Sequence, residues 1–378
     1  MQLPPLSLYI HIPWCVQKCP YCDFNSHGQK GTIPEQEYVS HLIDDFKQDL
    51  NYVQGRKITS IFIGGGTPSL LSEQAITRLL NELQQFVSFA QDIEITLEAN
   101  PGTLEYNKFA GFAQGGVNRI SIGVQSFETD KLEALGRIHS PNEAKTAAQY
   151  AADSVARFNI DLMHGLPNQS TEQALSDLKQ AIALNPTHLS WYQLTIEPNT
   201  QFYSKPPTLP QDETLWQIQQ LGHELLTKAG YQQYEISAYS KPEQQCLHNL
   251  NYWRFGDYIG IGCGAHGKIT LANEGKILRT EKVKHPKGYM DLTKPYLYKH
   301  WHVDNDDLPF EYFMNRLRLK EAFALNDYEL ATGQLASTIT TQINKAVSLE
   351  LLTSLDDDQY KTTSKGTAFY NNLVDLFL

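Results

Sequence analysis

The chain has 378 residues, 41% hydrophobic and 19% charged, the make-up of an ordinary soluble protein with room for a large core and more than one domain. Acidic groups outnumber basic ones 42 to 31, and a formal net charge of -11 speaks against a broad nucleic-acid footprint. No apolar run is long enough for a membrane-spanning helix, and MQLPPLSLYIHIPW lacks the basic start of an export signal, so a cytoplasmic protein with reduced thiols is expected.

The elements follow in order. SLYIHIP (7–13) alternates large residues and reads as a strand. Apolar residues at three and four spacing mark a helix over 35–53. ITSIFIGGG (58–66) is the second strand, and Ser72 is placed to cap the helix after it. DIEITLEANP (92–101), NRISIGVQSF (118–127), RFNIDLMHGLP (157–167) and HLSWYQLTIEP (188–198) read as four more strands, with helical patterns between them. Such alternation predicts an α/β fold of parallel strands with right-handed crossovers. About six units, and no Gly-rich dinucleotide fingerprint after the first strand, favour a partial, three-quarter TIM-like barrel over a doubly wound sheet. The core barrel is expected over 1–235. A segment rich in Gly, aromatics and Asn, 236–300, completes it, and a smaller helix-rich C-terminal domain spans 301–378. The clearest helical stretch of that last part is FEYFMNRLRLKEAF (310–323), and proline-rich 199–212 reads as a loop.

Active residues of barrels collect at the C-terminal ends of strands. Cys15, Cys19 and Cys22 follow the first strand, and Gly64, Gly65, Gly66 and Thr67 close the second. Glu98 and Asn100 close the third and Gln125 the fourth. Asp161 precedes His164 and Gly165 in the fifth, and Glu197 closes the sixth. Each taken singly is equally well a loop residue or a helix cap; their joint placement points to one site.

Five cysteines are an odd set, ill suited to disulfides in a reducing compartment. HIPWCVQKCPYCDF (11–24) packs three of them into one loop. Three thiolates can take three corners of an iron–sulfur cubane and leave one iron open. Zinc is the competing reading, with His27 as a fourth ligand. Cys246 and Cys263 read as small buried apolar residues, although Cys246 lies two residues before His248.

YIHIPWCVQKCPYC resembles the cluster loop of radical S-adenosylmethionine (SAM) proteins, and IGGGTP is similar to their methionine-binding segment. More narrowly, LEANPGT, RISIGVQSF, LGRIHS, NIDLMHGLP, YQLTIEPNT, YEISAYSKP, HNLNYW and YIGIGCGAH resemble stretches of the oxygen-independent coproporphyrinogen III oxidase-like family. The resemblance implies a [4Fe–4S] cluster on Cys15, Cys19 and Cys22. It implies SAM contacts at Tyr9, Tyr21, Gly65, Gly66, Thr67, Glu98, Gln125, Arg137 and Asp161. Tyr9 reads equally as a core residue, and Arg137 also as a surface helix residue.

Two functions compete within that family. Its decarboxylating members carry another cysteine two residues past the third; here Phe24 stands in that place. HNLNYW (248–253) is similar to the HNxxYW motif of the family's heme-chaperone members. The resemblance therefore implies heme at His248, Asn249, Tyr252 and Trp253, and delivery to heme-requiring, respiratory acceptor proteins. Contact with a membrane acceptor would be peripheral. His248 is a chemically sound iron ligand and Tyr252 and Trp253 offer flat faces, while a packed core histidine is the plainer alternative. Coproporphyrinogen III oxidase activity is the second, disfavoured expectation.

Overall fold

The computed structural model describes residues 1–103, 106–355 and 358–378. Six βα units build the first part. The strands are β1 (Leu6–Ile12), β2 (Ile58–Gly65), β3 (Phe89–Ala99), β4 (Arg119–Gln125), β5 (Arg157–His164) and β6 (His188–Gln193), each parallel to the next. β1 is buried along almost its whole length, as a parallel strand covered on both faces must be. The crossover helices α1 (Glu35–Gln48), α2 (Glu73–Leu83), α3 (Tyr106–Gln114), α4 (Pro141–Ser154) and α5 (Thr171–Ala183) start on local signals. Ser72 caps α2, as expected, by accepting from Ala75 N at 3.2 Å. Ser140 with Glu143, and Ser170 with Gln173, form reciprocal capping boxes on α4 and α5.

After β6 come α6 (Asp212–Lys228), β7 (Gln232–Gln233), β8 (Ala238–Ser240) and α7 (Leu247–Trp253). β9 (Asp257–Ile261), β10 (His266–Leu271), β11 (Lys276–Lys282) and β12 (Leu297–His302) follow. β9 pairs parallel to β1 on the side away from β2, so seven strands run parallel. The whole sheet reads β12-β11-β10-β9-β1-β2-β3-β4-β5-β6-β8-β7 and ends in antiparallel strands on both sides. It is open, a partial barrel, with a seventh parallel strand beyond the six legible in the βα rhythm. That strand lacks a repeat of the βα pattern because its neighbour β1 is about 250 residues earlier in the chain.

Buried charge fixes this extension. Asp257, at the start of β9, takes Arg56 Nη1 at 2.7 Å and Lys268 Nζ at 3.0 Å. Lys282 on β11 sits between Asp45 and Asp49 near the end of α1. Buried charges tolerate such positions only when paired.

One large apolar cluster lies between sheet and helices. A separate one joins Phe255, Ile277 and Val303 to α8 (Leu308–Arg316), α9 (Leu325–Thr332), α10 (Thr340–Ser348) and Phe377. This region is helix-rich, as expected, and also holds a three-stranded sheet of Phe323–Ala324, Gln359–Thr362 and Leu352–Ser354. The helix expected over 310–323 stops at Arg316. Leu319 bridges Glu235, and Lys320 N donates to Tyr234 O, so the backbone there is bonded to the barrel instead. No helix among the described residues is long and apolar enough to cross a membrane.

Candidate functional site

The chain turns sharply after β1. Trp14–Cys15 pairs with His27–Gly28 and closes the loop that carries Cys19 and Cys22. Phe202 N donates to Pro20 O, and the rings of Tyr21 and Phe202 lie 6.4 Å apart, which holds the loop over the ends of β5 and β6. On the other side Asn25 Nδ2 donates to Cys263 O at 2.9 Å and Lys284 O at 3.0 Å. All five cysteines are free; Cys15 is buried, while Cys19 and Cys22 are partly open. Burial raises the thiols of Cys15 and Cys22 above their ordinary range, so a metal taking them must displace protons.

The glycine loop packs against this one. Gly66 N donates to Ile12 O at 2.7 Å. A Cβ on Gly66 would stand 2.5 Å from Trp14 O and 3.0 Å from Cys15 Sγ. Gly65 has φ +115°, and a Cβ there would strike the His11 ring at 2.6 Å. Only glycines permit this approach of strand end to cysteine loop.

A cavity of about 630 Å³ opens beneath the loop. It gathers Cys15, Cys19, Cys22, Tyr21, Gly65, Gly66, Thr67, Glu98, Gln125, Arg137 and Asp161, which come from the ends of β1 to β5 and their loops. Gln125 adopts φ +70°, rare for a side-chain-bearing residue, and its Oε1 accepts from Tyr192 Oη at 2.9 Å. Arg137 donates to Gly123 O, and its Nη1 lies 3.6 Å from Cys19 Sγ. Its buried Nε has no hydrogen-bond partner among the described residues. A fork with a free donor beside three thiols suits a carboxylate-bearing ligand.

Glu98 Oε2 accepts from Gly65 N at 3.0 Å. Desolvation, and then the nearby Asp161, push its carboxyl up to about 8, so it is largely protonated at neutral pH. Asp161 is also raised by burial, against bonds from Asn159 Nδ2 at 2.7 Å and Ser121 Oγ at 3.0 Å. A ligand that sets a positive charge against this wall would draw such carboxyls back toward their ionised form. The three thiols, the cradle at Gly65 and Gly66, and the free Arg137 donor fit a cluster whose open iron takes an amino-acid-like ligand. His27, the fourth ligand of a zinc site, is turned elsewhere. Its Nε2 lies 3.1 Å from Lys284 O, and its ring stands edge-on to His285. No group of three or more His, Cys, Asp or Glu side chains is arranged to hold a single metal ion among the described residues.

A wider cavity of about 900 Å³ adjoins the first. Tyr9, Phe62, His248, Asn249, Tyr252, Trp253 and Tyr258 line it. Tyr9 faces this cavity and not the narrower one, with its Oη 2.9 Å from His11 Nδ1. His248 is 8% exposed; its Nδ1 lies 3.2 Å from Ser60 Oγ, and its ring is 5.2 Å from that of Phe62. Burial pushes the imidazole down to about 3, which keeps it neutral and able to bind a metal. Tyr252 packs edge-on to Trp253 at 4.7 Å, and the Arg318 guanidinium lies 4.4 Å from the centre of the Trp253 ring.

What orients α7 was not legible in its motif. Glu94, buried in β3, accepts from Leu247 N at 2.8 Å and His248 N at 3.3 Å. The same carboxylate faces Arg119 and Arg157 and accepts from Cys246 Sγ at 3.5 Å. Cys246 thus supports the helix start and, like Cys263, is a buried thiol pushed up to about 12. Glu94 lies mid-strand, away from the strand ends that sequence patterns single out. Gly65, Glu98, Asn249 and Trp253 line both cavities, as do Phe24, 58% exposed, and Glu197.

An open parallel barrel with three thiols after its first strand and a glycine loop after its second defines a class. The match to the Radical SAM superfamily covers residues 9–181, and the chain is a radical SAM protein. It is 58% identical over 379 residues to the heme chaperone HemW of Escherichia coli (strain K12), across 100% of this chain and 99% of that one. The HemW of Haemophilus influenzae (strain ATCC 51907 / DSM 11121 / KW20 / Rd) is 56% identical over 382 residues, with the same coverage. The chain belongs to the family of these heme chaperones. Among solved structures, the coproporphyrinogen III oxidase HemN of Escherichia coli, a radical SAM enzyme, shares the fold. Its TM-score is 0.84 at 24% identity, over 99% of this chain and 90% of that one.

Proposed function

We propose that this protein binds heme and hands it to heme-requiring acceptor proteins while carrying a [4Fe–4S] cluster and SAM. In this reading Cys15, Cys19 and Cys22 hold the cluster. Tyr21, Gly65, Gly66, Thr67, Glu98, Gln125, Arg137 and Asp161 hold SAM. Arg137 takes the carboxylate of SAM, and Glu98 and Asp161 face its positive groups. The cluster, when bound, supplies a one-electron reductant with an open iron. His248 offers a neutral imidazole to heme iron, with Asn249, Tyr252 and Trp253 beside the macrocycle. Tyr9, on the same wall, joins the heme side. The barrel (1–235) carries the cluster, 236–300 completes it with the heme helix, and 301–378 supports that helix from outside. The acceptors are respiratory, and contact with a membrane-bound one is peripheral.

One observation carries the reading: the thiol cavity and the imidazole cavity lie side by side at one rim and share Gly65, Glu98, Asn249 and Trp253. Phe24, at the mouth of both, is no thiol, which removes the support an extra cysteine would give to decarboxylation.

Anaerobic loading tests it. Cys15→Ala, Cys19→Ala and Cys22→Ala abolish iron and acid-labile sulfide but leave heme uptake. His248→Ala weakens heme uptake or shifts its spectrum and leaves the cluster. Equal effects of all four on both cofactors would refute the two-site division. Turnover of coproporphyrinogen III with SAM at an enzyme-like rate would return the oxidase reading.

A further inference from the structure

The wider cavity is graded along its depth. Its inner part is aromatic: Phe62, Tyr252, Trp253 and Tyr258 line it together with the buried His248. Its mouth is polar. Tyr258 stands opposite Ser7 on β1, and Gly260, two residues further along β9, stands opposite Tyr9 and against His266. Two residues of strand cover about 7 Å. Beyond that level lie Lys18 in the cysteine loop and Lys284 just past β11, together with His27 and Gly264. Lys18 and Lys284 are the only lysines or arginines among the described residues that line this cavity. A flat apolar ligand with anionic groups along one edge matches that gradient.

We propose that Lys18 and Lys284 bind the two propionates of heme, so that the macrocycle enters with its apolar edge inward and presents a face to the imidazole of His248. This rests on the heme reading above. Both ammoniums are free to exchange partners. Lys18 Nζ donates to Phe24 O at 3.2 Å. Lys284 Nζ lies 2.6 Å from Glu281 Oε1, with its side chain 62% exposed, and an ion pair so open to water gives little binding of its own. Opposing charge at the mouth comes from Asp23 and Glu197; Glu98, deeper in, is largely uncharged at neutral pH. Recognition therefore depends on the lysines outweighing Asp23 and Glu197 and on Lys284 exchanging Glu281 for a propionate, and it is sensitive to either lysine.

The test uses the full chain with its cluster loaded anaerobically. Iron protoporphyrin IX and its dimethyl ester are titrated into the wild type, a Lys18→Gln/Lys284→Gln variant and a Lys18→Arg/Lys284→Arg variant. The expected results are a loss of about tenfold or more in heme affinity for the Gln pair, no loss for the ester, and recovery with the Arg pair. The wild type prefers the diacid to the ester by a similar factor, and the His248-dependent spectrum persists in the Gln pair. Wild-type-like binding of heme by the Gln pair, or equal wild-type affinity for acid and ester, overturns the proposal while the heme reading stands. A wild type that takes up no heme, or takes it up with no change on His248→Ala, removes the reading itself and this inference with it.

Discussion

Removing the carboxylate of Glu94 should disable heme binding from a position that touches no heme. Its side chain is fully buried and faces Arg119, itself 2% exposed, at 3.8 Å. Truncation to Ala leaves that guanidinium charged and uncompensated, which typically costs about 3–5 kcal/mol. Arg157, at 3.2 Å but 35% exposed, adds less than about 1 kcal/mol. The bonds to Leu247 N and His248 N are lost as well, at about 1 kcal/mol each. These contributions share one carboxylate and do not simply add, so the expected loss for Glu94→Ala is about 3–5 kcal/mol. Glu94→Gln keeps an oxygen for the two N–H groups but not the charge. It should lose comparable stability and retain more heme affinity than Glu94→Ala. Urea unfolding of the apoprotein, with heme titration of the same samples, measures both. A Glu94→Ala protein within about 1 kcal/mol of wild type that binds heme normally would refute this account of how α7 is held.

Two further perturbations address the narrower cavity. The carboxyl of Glu98 titrates near 8 in the folded chain, above the ordinary value of 4.5, so the folded state holds more protons than the unfolded one between those values. Its stabilising contribution is present below pH 4.5 and is lost as pH rises through about 8. Glu98→Gln should therefore gain stability relative to wild type between pH 5 and pH 9, by about 1–3 kcal/mol because the carboxyl opens onto the cavity, and a flat difference across that range would contradict the assignment. Gly66→Ala places a Cβ against backbone, 2.5 Å from Trp14 O, so it should destabilise the chain by about 1–3 kcal/mol and lower the iron retained after reconstitution. Unchanged iron content would mean that the two loops can separate without harm.

Six strands, the helix cap at Ser72, and the grouping of Cys15 to Gln125 at strand ends were within reach of the sequence, because each depends on residues within a few positions of one another. The seventh parallel strand was not. DYIGI is short and follows no helix of the βα kind, and it is fixed by pairing with Leu6–Ile10 and by the buried Asp257, Lys268 and Arg56. The end of the helix at Arg316 escaped for a similar reason: the apolar spacing continues to residue 323, but Tyr234 and Glu235 of the barrel engage the backbone beyond it.

The cysteine spacing, the glycine run and HNLNYW are local patterns, and by themselves they determined the family and the chemistry each stretch can support. Whether those stretches share a site is a matter of long-range packing. Only the tertiary structure placed His248 beside Tyr9 and Phe62, turned His27 away from the thiols toward Lys284 O, and set Glu94 under the start of α7. Those contacts join residues far apart in the chain. They are selected by burial and by the pairing of charges inside the fold, which no local pattern of the sequence records.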